Sequence, residues 1–290
     1  EVLALVQDLA DWSGDTLHAE DYPTWRQVFR LLLEVRNPEP LVVVLDEFQY
    51  LGTTPEELGS IASELNAVWE QQRPNRPFLL ILSGSAVKTL EALDEGGAPL
   101  YGRFTWKAKL EPFDYGHVGE MVPFASLRDR VRCYAAFGGT PRYLAALDLD
   151  QTLDENISRL LLDPRGEVRS LIETALVQER GLREVAKYQA LLRAIGVGST
   201  EFAEIKIRAG LQSDADTVVR RMLEKLMHLG YVRSERNMGA KATAAFRYRI
   251  DDPAFAFYYA FVTRFEAALA RNDAMSVWSQ HVSGLFDGYI

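Results

Sequence analysis

A single cysteine, Cys133, stands among 290 residues, which excludes an internal disulfide and any metal site built on several thiolates. That scarcity fits a reducing compartment, and the apolar helical pattern around Cys133 makes it a small buried residue. Long apolar runs are missing as well. None approaches the roughly twenty residues a spanning helix needs, and no basic-then-apolar signal opens the chain, so no membrane partner is expected and the reading is cytoplasmic. The four histidines, His18, His117, His228 and His281, lack metal-ligand spacing, and no internal repeat or low-complexity segment occurs. Positive charge is in deficit, with a net charge of −9. Residues 201–250 are the exception: ten Lys/Arg against six Asp/Glu give a local +4 and leave −13 elsewhere. By charge, only that segment suits a polyanion.

What is present suits a folded protein with a sizeable core and two domains, at 48% hydrophobic and 25% charged content. Glu1 in place of methionine, and a C-terminal Phe286-Asp287-Gly288-Tyr289-Ile290 that breaks off inside an apolar pattern, read as a fragment of a longer protein.

The chain is organised around Leu41-Val42-Val43-Val44-Leu45-Asp46-Glu47, five apolar residues entered through Pro38 and Pro40 and closed by two carboxylates. Such a run predicts a central parallel strand buried on both faces. In open α/β sheets ligands bind beyond the carboxyl ends of the strands, which is where Asp46 and Glu47 fall. Upstream, residues 1–36 carry apolar residues at helical spacing, Leu3, Val6, Leu9 and Ala10 on one face and Trp25, Val28, Phe29 and Leu32 on another, and should cover the sheet. Downstream, Thr54-Pro55-Glu56-Glu57 opens a helix predicted to reach about Gln71, with Pro74 and Pro77 behind it. Phe78–Leu82 is a second buried strand, closed by Ser83-Gly84-Ser85 and a short helix to about Leu93, which completes a βαβ unit. Phe104, Trp106, Ala108 and Leu110 alternate with polar residues and predict an edge strand.

Helical patterns follow from Asp114 to Leu229, punctuated by Phe137-Gly138-Gly139-Thr140-Pro141. Within residues 185–250, Tyr188, Leu191, Leu192 and Ile195 mark one helix, and Phe202, Ile205 and Ile207 mark a second. A third, capped by Ser213, turns Val219, Met222, Leu223 and Leu226 inward. Tyr231–Arg236 and Phe246–Ile250 then predict a hairpin around Gly239, with Phe246, Tyr248 and Ile250 on one face and Arg247 and Arg249 on the other. Three helices and a hairpin resemble a winged helix-turn-helix domain.

With these pieces in order the chain resembles the archaeal-type ATPase family of the AAA+/STAND group of P-loop nucleotidases. Leu41–Glu47, extended by Phe48-Gln49-Tyr50-Leu51, resembles its Walker B motif, and Leu80–Ser85 its sensor 1 strand and turn. Leu100-Tyr101-Gly102-Arg103, with Leu110-Glu111-Pro112-Phe113 behind it, resembles the Gly-Arg motif. Phe137–Tyr143 resembles the Gly-Gly-x-Pro motif at a sensor 2 position. Asp251–Tyr259 resembles the link to a C-terminal nuclease-like domain. The chain departs from the family at its start, because no Gly-x-x-x-x-Gly-Lys-Ser/Thr phosphate loop precedes the Walker B strand.

The resemblance implies an α/β fold: a partial P-loop NTPase core (1–113), a helical lid (114–180), a winged helix (181–250) and the start of a truncated nuclease-like domain (251–290). It implies ATP and Mg²⁺ as cofactors, Asp46 holding Mg²⁺ and Glu47 acting as general base. Ser83 or Ser85 would act as sensor 1, where Ser-Gly-Ser is otherwise turn chemistry. Arg103 would stabilise the transferring phosphoryl group, or else pair with a surface acid. Gly139, Pro141 and Arg142 would face nucleotide from the lid, though Gly138 and Gly139 equally suit a close backbone approach or positive φ, Pro141 a helix start, and Arg142 a solvent-exposed position. On the winged helix, Arg220, Arg221, Lys225, Arg236, Lys241, Arg247 and Arg249, with Arg233, would contact the phosphates of double-stranded DNA. Asp214 and Asp216, at the start of the third helix, would repel a DNA backbone and favour protein contact instead. The leading expectation is an ATP-driven switch coupled to the winged helix, with residues 1–290 alone folded but inactive for want of the phosphate loop. Beside it stand a DNA-binding regulator or defence-type module with the α/β part as scaffold, and an adaptor whose ATPase half has decayed. A protein client or homo-oligomer would be the further partner.

Overall fold

A computed structural model of the protein describes residues 2–35, 39–71, 77–84, 87–123, 126–179, 182–236 and 246–290. The chain forms two compact units, Glu1–Leu110 and Glu111–Ile290.

In the first unit, helices α1 (Val2–Ser13) and α2 (Trp25–Glu34) precede strand β1 (Leu41–Leu45). Helix α3 (Pro55–Gln71), strand β2 (Phe78–Leu82) and helix α4 (Val87–Ala92) follow. Thr24 starts α2 with a reciprocal capping box to Gln27. Thr54 Oγ1 accepts from the Glu57 N–H at 3.2 Å, and Pro55 takes the first helical position of α3, as the local sequence predicts. β1 and β2 pair in parallel, Leu41 opposite Phe78 through to Leu45 opposite Leu82, with α3 as the crossover. Val6, Leu9, Val28, Phe29, Leu32, Ile61, Leu65 and Val68 bury the face carrying Leu41, Val43 and Leu45.

β1 is not buried on both faces, since Val42 and Val44 are 57% and 54% exposed and their neighbours Leu79 and Ile81 are 51% and 40% exposed. An unbroken apolar run shows that both faces are compatible with burial, whereas covering both takes a second layer. Among the described residues of this unit, helices cover only one face. Nor do residues 104–110 form a strand: the segment is irregular, with Trp106 78% and Leu110 92% exposed. Alternation permits a strand, but a ladder partner makes one. Leu3, placed by its spacing with Val6 and Leu9, is also exposed.

Among its described residues, the second unit is helical apart from one pair of antiparallel strands. Helices α5 (Tyr115–Met121), α6 (Leu127–Phe137), α7 (Pro141–Ala145), α8 (Leu153–Ile157) and α9 (Glu167–Gln178) come first. Then come α10 (Val185–Gly196), α11 (Phe202–Arg208), α12 (Asp216–His228), β3 (Val232–Glu235) and β4 (Arg247–Ile250). Helices α13 (Pro253–Phe257), α14 (Glu266–Leu269), α15 (Ala274–Val277) and α16 (Ser283–Tyr289) end the chain. β3 and β4 are antiparallel, Val232 opposite Ile250, and the Tyr248 N–H also donates to the Thr200 carbonyl at 2.8 Å. Tyr248 and Ile250 are buried, but Phe246 is not. The cap of α12 differs from expectation: Ala215 occupies it and no side chain caps the helix. Ala254, Phe255, Phe257, Phe261, Trp278 and Phe286 share one buried cluster with Val118, Cys133, Leu191 and Leu223. Residues 251–290, expected to open a further domain, thus supply several side chains to the core of this unit.

Among the described residues, no helix is long and apolar enough to cross a membrane.

Candidate nucleotide site

The parallel register sets the end of β1 beside the end of β2, so Asp46 and Ser83 emerge next to each other. Ser83 Oγ donates to Asp46 Oδ1 at 2.7 Å, and the same oxygen accepts the Glu47 N–H at 3.0 Å. Backbone bonds stitch the two strand ends together, Ser83 N to the Leu45 carbonyl at 3.1 Å and Phe48 N to the Ser83 carbonyl at 2.9 Å. Fully buried Phe48 anchors the turn. Glu47 adopts φ 51°, ψ 45°, a left-handed conformation that is uncommon outside glycine. Such strain survives only where the surroundings enforce it, and it concentrates at functional sites. The Glu47 carboxylate accepts from Gln49 Nε2.

This oxygen set suits a particular kind of cation. Among the described residues, no three His, Cys, Asp or Glu side chains cluster to cage an ion. One or two carboxylates are instead what Mg²⁺ uses when phosphate oxygens and water complete its octahedron.

The remaining candidates divide. Ser85 and Lys241 lie outside the described residues, as do Pro38, Pro74 and Gly239. Arg103 does not join Asp46 and Glu47: its Nη2 pairs with Glu70 Oε1 at 2.6 Å and its Nε donates to Asn66 Oδ1 at 2.9 Å. Both partners sit about three to four turns along α3 from Pro55, away from the end that follows Glu47. The pairing with a surface acid is therefore the one observed.

In the second unit Gly138 takes φ 65°, and Gly139 backs onto Phe113 so closely that a Cβ would lie 1.8 Å from the Phe113 carbonyl oxygen. Pro141 is the first residue of α7, and Arg142 is exposed on that helix. Of the basic residues, Arg220 stacks over Phe202 and Arg236 over Phe246, each 4.0 Å from the ring centroid. Arg249 pairs with Glu235, and Arg233 with Asp251 at 3.3 Å. Arg221 and Arg247 are exposed, and Lys225 is half-buried. Lys187 Nζ meets Asp214 Oδ1 at 2.8 Å and Lys206 Nζ meets Asp216 Oδ1 at 2.7 Å. The hydrogen bond from Lys206 holds the Asp216 carboxyl below its ordinary range. The two aspartates that argued against DNA are therefore matched within the fold.

Sequence reasoning gave no role to Gln49 or Gly84. The signal that would have found Gln49 is its place two residues past Glu47 in a turn whose neighbour, Phe48, is buried.

The fold is mixed α/β, with a small parallel sheet and many helices, and is similar to that of P-loop ATPases. The Walker-type ATPase PABY2304 of Pyrococcus abyssi superposes with a TM-score of 0.61 at 22% identity, over 87% of this chain and 74% of that one. The Orc1 protein of Aeropyrum pernix, solved in complex with DNA, aligns at a TM-score of 0.37 and 15% identity, too loosely to bear on the fold. In sequence, the uncharacterized protein MJECL04 of Methanocaldococcus jannaschii is 27% identical over 225 residues, 76% of this chain. The chain spans about half the length of that curated relative, 48%. No family model matches.

Proposed function

We propose that this chain is the switch portion of a Mg²⁺-dependent ATPase of the AAA+/STAND type. The observation carrying this reading is the junction of Asp46, Glu47 and Ser83 at the carboxyl ends of two adjacent parallel strands, where open α/β sheets bind ligands. Asp46 would hold Mg²⁺, which supplies charge neutralisation on the phosphate oxygens when bound. Ser83 orients the Asp46 carboxylate through its hydroxyl. Glu47 takes the proton of an attacking water, a role that needs a carboxylate within hydrogen-bond reach of it. The reading requires a phosphate-binding loop from outside residues 1–290, since none of the usual pattern occurs within them. Arg103, held on α3, stands outside the catalytic set. Turnover and nucleotide binding measured separately in Asp46→Asn and Glu47→Gln test the assignment, because the first removes the metal ligand and the second only the base.

A second reading concerns α10–α12 with β3 and β4, taken as a winged helix that meets double-stranded DNA. It is favoured by the pairing of Asp214 and Asp216 with Lys187 and Lys206, which offsets the repulsion expected from those acids, and by the solvent exposure of Arg221 and Arg247. Contact would be with phosphates rather than base edges. Coupling nucleotide state to this element, with a protein client or a second copy as the further partner, completes the proposal.

A further inference from the structure

Gln49 is 8% exposed, a degree of burial uncommon for a polar side chain without a purpose. Its Nε2 donates to Glu47 Oε2. Its other amide atom is met by Gly84: a Cβ built there would lie 2.0 Å from Gln49 Oε1 and 3.0 Å from its Cδ. Gln49 is thus clasped between the carboxylate of Glu47 and the turn that follows β2, in a loop already fixed by the Phe48 and Ser83 backbone bonds.

We infer that Gln49 is a positioning residue that sets the direction of the Glu47 carboxylate, and that residue 84 is glycine because any Cβ would evict the Gln49 amide. The catalytic meaning of this inference rests on Glu47 being the base; the clasp itself does not.

The chemistry favours an amide for this task. A glutamate side chain turns about three bonds, and a base displaced by about 1 Å loses on the order of 10² in rate. An ammonium or guanidinium would hold the carboxylate as firmly but would lower its basicity through its charge. The neutral Gln49 donor fixes direction with far less effect on basicity, and it does not take up the proton at neutral pH. The left-handed backbone of Glu47 and the Gln49 bond act together: one aims the Cα–Cβ vector, the other the carboxylate.

The test pairs Gln49→Met, similar in size but without a donor, with Gly84→Ala, which keeps Gln49 and displaces it. Crystal structures of the 290-residue chain should show the Glu47 carboxylate moved in both variants while Ser83 Oγ stays on Asp46. A carboxylate that keeps its place in both overturns the inference. In the polypeptide expressed from the complete gene, each variant should lower kcat about ten- to a hundredfold with KM unchanged. The double variant should be no worse than the single ones, since both break one contact. Additive losses, or a change confined to KM, would contradict a positioning role. If Glu47→Gln leaves turnover intact, the hydrolytic reading fails by itself, and the crystal structures still decide whether Gln49 orients Glu47.

Discussion

Replacing Glu47 by alanine and, separately, by glycine isolates the backbone strain at the candidate site. Both variants lose the carboxylate and its bond to Gln49, so their difference reports only what a Cβ costs at φ 51°, ψ 45°. A left-handed conformation costs a residue with a Cβ about 1–2 kcal/mol. Glycine gives back about 0.5–1 kcal/mol through its greater freedom in the unfolded chain. The glycine variant should therefore be the more stable by roughly 0.75 kcal/mol, the difference of the two midpoints. Urea titration followed by tryptophan fluorescence is the suitable assay, because Trp12, Trp25, Trp69 and Trp106 report on the first unit and only Trp278 on the second. Equal stability, or a more stable alanine variant, would show that Glu47 is not held left-handed in solution, and the case for a constrained base would go with it.

DNA affinity, if carried by residues 185–250, should fall steeply with salt, and replacing Arg247 and Arg249 should flatten the salt dependence by up to about two charges' worth. An unchanged slope in an anisotropy titration would reassign that surface to protein contacts. Burial pushes the Cys133 thiol up to about 12, above its ordinary value of 9.0. Below pH 9 the thiol is protonated in folded and unfolded chains alike, and its contribution to stability is fully present. Between pH 9 and about 12 the unfolded chain loses the proton first, so stability falls as pH rises. The folded protein should resist a thiol reagent at pH 8 and react on unfolding; rapid labelling of the native chain would show Cys133 exposed.

Much of the first unit is legible in the sequence because its signals are local. Thr54 and Pro55 start α3 where capping chemistry says they should, and two apolar runs joined by a helix give parallel strands. What failed depended on partners the local sequence does not name. Among the described residues, Val42 and Val44 have the composition of a buried face without a layer over it, and residues 104–110 have the alternation of a strand without a ladder. The site shows the same division. Asp46, Glu47 and Ser83 follow from strand ends in register, whereas the attachment of Arg103 to Glu70 and Asn66 spans more than thirty residues and is invisible to spacing. The clasp of Gln49 by Gly84 has the same origin, since it appears only once β1 and β2 lie side by side.

The most direct test of the central claim is ATP turnover by the polypeptide from the complete gene, with and without Glu47→Gln. The substitution keeps the size of the side chain and removes its basicity, and Asp46, the proposed Mg²⁺ ligand, is left in place with Ser83 bonded to it. The account predicts a loss of about 10²- to 10⁴-fold in kcat with ATP binding retained. Turnover within about tenfold of wild type would contradict it, because a general base contributes more than that.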